Sequence, residues 1–69
     1  MKQLTISTEF VTLGQFLKLA NLIQTGGEAK MYLQEHEVRI NGEVDNRRGR
    51  KLYGGMIVEV ENQSFKIVN

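Results

Sequence analysis

The chain has 69 residues, a net charge of +1, no cysteine and one histidine. A domain of this size buries only about 60% of the surface of its unfolded chain, so packing has to supply nearly all of its stability. A disulfide is excluded, and one histidine cannot provide the roughly four nitrogen or sulfur ligands of a structural zinc site. We therefore predict a single domain over residues 1–69 that uses no metal or other cofactor.

The chain also lacks the features of a membrane or exported protein. No apolar run approaches the roughly 18 residues that span a membrane, and residues 1–7 alternate polar and apolar side chains instead of forming a signal core. The same alternation predicts a half-buried strand over residues 2–7, with Leu4 and Ile6 on its apolar side. Because a lack of cysteine fits a reducing compartment, we predict a cytoplasmic protein without membrane contact.

Two short helices follow the first strand. Thr12 and Gln15 have the spacing of a capping box, which predicts a helix beginning at Leu13. Thr25 and Glu28 repeat that spacing and predict a second helix after a short turn. The helical period places one lysine on the outward side of each helix, Lys18 and Lys30.

The period then changes to that of strands, beginning with a hairpin at Asn41-Gly42, where both residue types tolerate positive φ. A strict two-residue turn would pair Ile40 with Glu43 and leave Val44 on the polar side. One extra loop residue would pair Ile40 with Val44 and gather the apolar side chains. We therefore predict a bulge or a three-residue loop.

A second hairpin is predicted at the end of the chain, after a turn at Gly54-Gly55. Its strands would cover residues 56–61 and 64–68 and turn at Asn62-Gln63. The predicted cross-strand pairs are Val60 with Phe65, Val58 with Ile67 and Glu59 with Lys66.

A basic cluster lies between the two hairpins and consists of Arg47, Arg48, Arg50 and Lys51. Four cations in five residues repel one another unless they are solvated or meet anions. Three of them are arginines, which bind phosphate with two hydrogen bonds at once, and Gly49 lets a partner approach the backbone closely. The acidic residues lie apart from this cluster along the chain, so a near-neutral total charge can hide a basic face.

Other polar features of the sequence have weaker functional interpretations. Gly26 and Gly27 leave backbone N–H groups unobstructed at a helix start, where a phosphate can bind, although they also simply permit a tight turn and Glu28 disfavours an anion nearby. His36 is predicted to be packed or to cap the end of the second helix, because no nucleophile or carboxylate is spaced to work with it. Tyr53 either stacks on a base or packs against the protein.

Together, these segments resemble the S4 RNA-binding domain, and most closely the small stand-alone bacterial S4-like proteins of the YaaA and YbcJ type. The resemblance covers about residues 12–60 and rests on four ordered blocks: Thr12-Leu13-Gly14-Gln15-Phe16-Leu17-Lys18, Thr25-Gly26-Gly27-Glu28-Ala29-Lys30, Val38-Arg39-Ile40-Asn41-Gly42-Glu43-Val44 and Arg47-Arg48-Gly49-Arg50-Lys51-Leu52. It implies an α+β fold of the S4 (alpha-L) type, in which two short helices pack on a small, mainly antiparallel sheet.

The resemblance also implies where RNA binds. By position, the contacts would be Lys18, Lys30, Arg39, Arg47, Arg48, Arg50 and Lys51. The accessible N–H groups of Gly26 and Gly27 add two further candidate contacts. The family pattern has arginines where this chain has Thr12 and Gly26, so the basic cluster would have to replace their charge. Gly55-Met56 stands where the family has Gly-Asp, a difference that affects a turn.

We therefore expect a non-catalytic, monomeric protein that binds structured RNA, with ribosomal RNA, a ribosomal subunit or an assembly intermediate implied by the resemblance. Two alternatives remain open at this point. The terminal hairpin would offer a free edge to a partner strand in a protein-interaction module. The second alternative is that the chain assists an RNA-modifying enzyme in trans.

Overall fold

The computed structural model describes residues 1–69 and contains two helices and seven strands. The helices are α1 (Leu13–Leu19) and α2 (Ala29–Glu35), the second preceded by a 3-10 turn over Gly26–Glu28. The strands are β1 (Lys2–Thr5), β2 (Phe10–Thr12), β3 (Val38–Ile40), β4 (Glu43–Val44), β5 (Lys51–Tyr53), β6 (Ile57–Val60) and β7 (Gln63–Val68). None of the helices is long and apolar enough to cross a membrane.

The strands form two sheets. The larger one has the order β1-β7-β6-β3-β4, with β1 parallel to β7 and all other neighbours antiparallel. The smaller one pairs β2 with β5 in an antiparallel two-stranded ribbon. The predicted α+β architecture, with two short helices and a mainly antiparallel sheet, is therefore confirmed.

Helix α1 begins and ends where its sequence directs. Thr12 Oγ1 accepts the backbone N–H of Gln15 at 3.2 Å, and Gln15 Oε1 accepts the N–H of Thr12 at 2.9 Å, which completes the predicted capping box. At the other end Asn21 has a φ of 63° and donates to the Lys18 carbonyl, while the next N–H reaches the Leu17 carbonyl at 2.9 Å. This pattern terminates the helix and turns the chain towards α2.

Helix α2 has a looser start than the sequence predicts. The N–H of Thr25 donates to Glu28 Oε1 at 3.1 Å, and the Thr25 hydroxyl lies 3.3 Å from the same oxygen, so one side of the box forms through the carboxylate. The first turn is 3-10 and regular α-helix starts only at Ala29. The two consecutive glycines explain the tighter turn, because glycine has a low helical propensity.

One hydrophobic core joins the helices to the inner faces of both sheets. Phe16, Leu13 and Leu17 of α1 are fully buried, and the Phe16 ring meets the Phe65 ring edge-on at 5.2 Å. Ala29 and Leu33 provide the buried contacts of α2. Every one of the 15 buried residues is apolar, as expected for a small domain whose stability depends on packing.

The hairpin at Asn41-Gly42 contradicts the predicted bulge. Ile40 pairs with Glu43 in a strict two-residue turn, and both turn residues have positive φ, 50° and 88°. Val44 is consequently 57% exposed. The turn geometry of Asn-Gly outweighs the burial of one valine. Asn41 also ties the turn to β6, since its Oδ1 accepts the N–H of Ile57 at 2.9 Å.

The terminal hairpin forms, but its predicted register is wrong. Val58 pairs with Phe65 and Glu59 with Ser64, so the turn consists of Glu61 and Asn62 and the predicted pair of Glu59 with Lys66 does not exist. The two registers differ by two residues in pairing and therefore bury the same side chains. Because strand faces repeat every two residues, the apolar pattern cannot distinguish these registers.

The terminal hairpin also has no free edge. Strand β7 lies between β1 and β6, and β6 lies between β7 and β3. The free edges of the larger sheet belong to β1 and β4. A partner strand therefore cannot join the terminal hairpin in the way that the protein-interaction alternative requires.

Candidate nucleic-acid interface

The basic cluster lies in a loop that is attached to the start of α1. We call residues 45–51 the basic loop. The N–H of Leu13 donates to the Arg50 carbonyl at 2.8 Å, and the N–H of Gly14 donates to the Arg48 carbonyl at 3.0 Å. A further bond from the N–H of Arg50 to the Arg47 carbonyl, 3.1 Å long, closes the loop on itself. The loop is thus a fixed turn that satisfies the first N–H groups of the helix.

Asp45 accepts most of the side-chain hydrogen bonds within the basic loop. This corrects the expectation that the acidic residues lie apart from the basic cluster. Its carboxylate accepts hydrogen bonds from Arg47 Nε and Nη2, at 3.1 and 2.7 Å, and from Arg50 Nη1 at 2.9 Å. It also accepts the backbone N–H of Arg47 at 2.9 Å. Two of the four cations therefore share a protein carboxylate, which neutralises part of their charge.

These bonds define the electrostatics of the loop. The hydrogen bonds from Arg47, with those from Arg50, hold the pKa of Asp45 well below its usual range, although its side chain is only 9% exposed. The same contacts raise the pKa of Arg47. The strict turn at Asn41-Gly42 directs Val44 outward, and the next residue, Asp45, therefore points inward. The observed register of this hairpin, which differs from the predicted one, thus places Asp45 where it can bind Arg47 and Arg50.

The other two cations of the loop, Arg48 and Lys51, form no ion pair. Both side chains are exposed. The Lys51 ammonium lies 4.9 Å from the centre of the Phe10 ring, an interaction that leaves its charge available to solvent. The basic loop thus combines two cations that are bound internally with two that are available to an external anion.

Gly14 is the point where the loop meets both helices. A Cβ at this position would lie 3.8 Å from the Cβ atoms of both Ala29 and Arg48. Lys18 is four residues further along α1 and hence on the same side of the helix. Lys30 directly follows Ala29 and is exposed. Both helix lysines therefore lie on the elements that adjoin Arg48, and neither forms an ion pair.

Gly26 and Gly27 are exposed, and no atom lies within 4 Å of a Cβ built on Gly26. Their backbone is therefore accessible. The Glu28 carboxylate is bonded to the N–H of Thr25 at this same turn and adds a negative charge. The turn thus offers close approach to the backbone but little attraction for an anion.

Arg39 is not brought to the other predicted cations. Its guanidinium bonds Glu37 at 2.9 Å, and it lies across from Glu59 on the neighbouring strand. It lines a groove of about 550 Å³ together with four glutamates, Glu35, Glu37, Glu59 and Glu61. Its surroundings are therefore acidic.

His36 lies on the same groove and is half-exposed, with its ring 4.3 Å from that of Tyr32. Its Nδ1 is 3.2 Å from Glu61 Oε1, a carboxylate that the spacing of the sequence did not indicate. Burial of the Tyr32 hydroxyl, followed by the nearby Glu61 carboxylate, raises the pKa of Tyr32 to about 12. No nucleophile adjoins His36 among these contacts.

Sequence reasoning missed two residues of this surface. Asp45 carried a detectable signal, because it stands two residues before Arg47 and five before Arg50. Phe10 carried no such signal. Its contact with Lys51 and Tyr53 depends on the pairing of β2 with β5, and these strands are separated in sequence by both helices and a hairpin.

Comparison with known proteins agrees with this architecture. The family model described as S4 domain matches residues 4–68. The probable ribosome maturation protein RlbA of Bacillus subtilis (strain 168) is 63% identical over 67 residues, which cover 96% of this chain and 94% of that protein. The helix pair, the small sheets and the matched sequence all lead to one assignment: the chain belongs to the S4 domain family.

Proposed function

We propose that this protein binds structured RNA, without catalysing a reaction, through the surface formed by the basic loop and the helix pair. The observation that supports this most directly is the attachment of the loop to α1, through the bonds from Leu13 to Arg50 and from Gly14 to Arg48. They hold Arg48 and Lys51 beside the elements that carry Lys18 and Lys30. A rigid set of cations meets phosphates at low entropic cost.

The cations of this surface have different roles in the proposal. Arg48, Lys51, Lys18 and Lys30 contact phosphates. Arg47 and Arg50 shape the loop, and Arg47 reaches RNA only with the N–H groups that do not bond Asp45. Gly26 and Gly27 permit close approach of the RNA backbone. Arg39 contributes least, because its neighbours are glutamates.

Recognition in this proposal depends mainly on the shape and phosphates of the RNA. Duplex RNA hides its major-groove edges, so cations that track the backbone read geometry and not sequence. Four phosphate contacts predict a log-log salt dependence of the association constant with a slope of roughly −3.

The test is a fluorescence anisotropy titration of the protein with an RNA hairpin at several salt concentrations. Replacing both Arg48 and Lys51 by alanine is expected to weaken binding about tenfold per side chain and to reduce the salt slope by about 2. NMR spectra of the variant report whether the fold is intact.

The matched control is a Lys2→Ala/Lys66→Ala variant, which removes the same charge from β1 and β7. Lys66 lies on the side of the sheet away from the helices, opposite in direction to its buried neighbours Phe65 and Ile67. The control is expected to bind within about threefold of the wild type. Equal losses in both variants would mean that net charge, and not this surface, controls binding.

We further propose that the RNA is ribosomal and belongs to a subunit under assembly, that the protein acts as a monomer, and that it works in the cytoplasm. The support is the similarity to a protein whose name describes it as a probable ribosome maturation protein. Sedimentation of a cell extract in a sucrose gradient tests this. The wild-type protein is expected to sediment with ribosomal subunits or their precursors, whereas the Arg48→Ala/Lys51→Ala variant is expected to stay in the top fractions with free protein. Recovery with an RNA-modifying enzyme instead would favour the accessory role in trans.

A further inference from the structure

The ribbon of β2 and β5 carries two aromatic side chains on its outer face. Phe10 and Tyr53 are direct cross-strand partners, and their ring centres are 5.7 Å apart at an angle of 49°. The alternate residues, Val11 and Leu52, point into the core. Tyr53 is 38% exposed and Phe10 is half-buried, so this pair lies outside the core that holds Phe16 and Phe65.

Positive charge adjoins this aromatic pair. Lys51 lies on the same outer face as Tyr53, two residues away, and its ammonium is 4.9 Å from the centre of the Phe10 ring. Arg48, which forms no ion pair, precedes Lys51 by three residues in the loop. An exposed aromatic face with cations at its margin has the chemistry that holds a nucleotide, since rings stack on the base and cations meet the phosphates.

A groove of about 920 Å³ is also lined by Phe10. It runs between residues 5–11 and the exposed side of α1, and Phe10, Gln15, Lys18 and Leu19 are among its lining residues. Its volume lies in the range of small-molecule sites, roughly 300 to 1,000 Å³. Phe10 thus contacts Lys51 on the ribbon and lines the same groove as Lys18.

We propose that one unpaired nucleotide of the bound RNA stacks its base on the Tyr53–Phe10 pair, while the neighbouring phosphates meet Lys51 and Lys18. This inference rests on the proposed function and names the RNA class more closely: a duplex with a bulged or looped nucleotide, not a continuous helix. Charge complementarity and continuity with the basic loop support this occupant. The stacking rings tolerate any base, so the preference is for an unpaired base and not for its identity.

The test uses three RNA hairpins with the same stem. One carries a single bulged 2-aminopurine, one carries an abasic residue at the bulge, and one is fully paired. The wild-type protein is expected to quench the 2-aminopurine fluorescence and to bind the first RNA about tenfold more tightly than the other two. Equal affinity for the bulged and abasic hairpins would overturn the inference.

Two substitutions of Tyr53 separate stacking from packing. Tyr53→Phe keeps the ring and is expected to retain both the quenching and the tenfold preference. Tyr53→Leu keeps an apolar side chain on the ribbon without a planar ring and is expected to lose both, while its affinity for the abasic hairpin stays within about twofold. If both variants keep the preference for the bulged hairpin, the inference is also overturned.

The outcome distinguishes this inference from the proposed function. If the abasic and fully paired hairpins bind through Arg48 and Lys51 but the bulged base adds nothing, only the stacking site is wrong. If the Arg48→Ala/Lys51→Ala variant binds every hairpin as tightly as the wild type, the proposed RNA-binding surface itself is wrong.

Discussion

The basic loop contains two pairs of cations that are neighbours in sequence and differ in their surroundings. Arg47 and Arg50 both bond the Asp45 carboxylate, and the Arg50 side chain is only 28% exposed. Arg48 and Lys51 alternate with them along the chain and meet no carboxylate. A run of cations is therefore not a uniform charged patch, because a single carboxylate can bind half of them and hold them in the loop.

The largest effect is expected from removing the carboxylate. Replacing Asp45 by asparagine leaves the half-buried Arg50 without a charged partner, and we expect the free energy of unfolding to fall by about 2 kcal/mol. Urea denaturation followed by circular dichroism measures this. The matched control is Glu43→Gln, an exposed carboxylate of β4 without an ion pair, which is expected to change stability by less than about 0.5 kcal/mol. Equal stability of the two variants would mean that Asp45 does not organise the loop.

The contribution of the Asp45 carboxylate to the free energy of unfolding should depend on pH. Because the folded protein lowers the pKa of Asp45 relative to the unfolded chain, the stabilisation is fully present above the unfolded pKa of about 3.9 and is lost as pH falls below it. The difference in stability between wild type and Asp45→Asn is therefore expected to be constant from about pH 5 to 7 and to shrink below about pH 4. A difference that persists undiminished at pH 2.5 would contradict this assignment.

A comparison of single arginine variants sharpens the difference between the two pairs. Arg48→Ala is expected to weaken RNA binding about tenfold, whereas Arg47→Ala is expected to weaken it only about twofold, because the Arg47 guanidinium already bonds Asp45. Both changes remove one positive charge, so each is the control for the other. Titration with one RNA hairpin at fixed salt measures the effect, and equal losses would show that the two arginines are equivalent.

The smallest effect concerns the contact between the loop and the helix. A Cβ at Gly14 would lie 3.6 Å from the Arg48 carbonyl oxygen, an ordinary van der Waals distance. Gly14→Ala should therefore raise stability by about 0.5 kcal/mol through helical propensity, without changing RNA affinity. Thermal unfolding and titration test the two parts. A clear loss of affinity would mean that RNA approaches Gly14 itself.

Local signals in the sequence predicted both helices and both hairpins, but not the ribbon of β2 and β5. The capping box at Thr12 specified the start of α1, and the Asn41-Gly42 pair specified a hairpin. Both are interactions between residues at most three positions apart, so the sequence contains all the partners. The same holds for the alternation that placed Leu4 and Ile6 on the apolar side of the first strand.

Registers and distant contacts were harder to predict. The apolar pattern allowed two registers of the terminal hairpin, and it favoured a bulge at Val44 that the turn geometry does not form. The contact of Lys51 with Phe10 depends on a strand pair formed across more than half of the chain. None of these can be read from neighbouring residues.

Local spacing in the sequence was enough to predict the capped start of α1, a second helix, strands with a defined apolar side and a basic segment between hairpins. The tertiary structure decided which cations remain available. The tight turn directs Asp45 inward to bind Arg47 and Arg50, and the pairing of β2 with β5 attaches the loop to α1 and sets Lys51 beside Phe10 and Tyr53. Charge along a chain is a property of sequence, whereas its availability depends on partners that only the fold brings together.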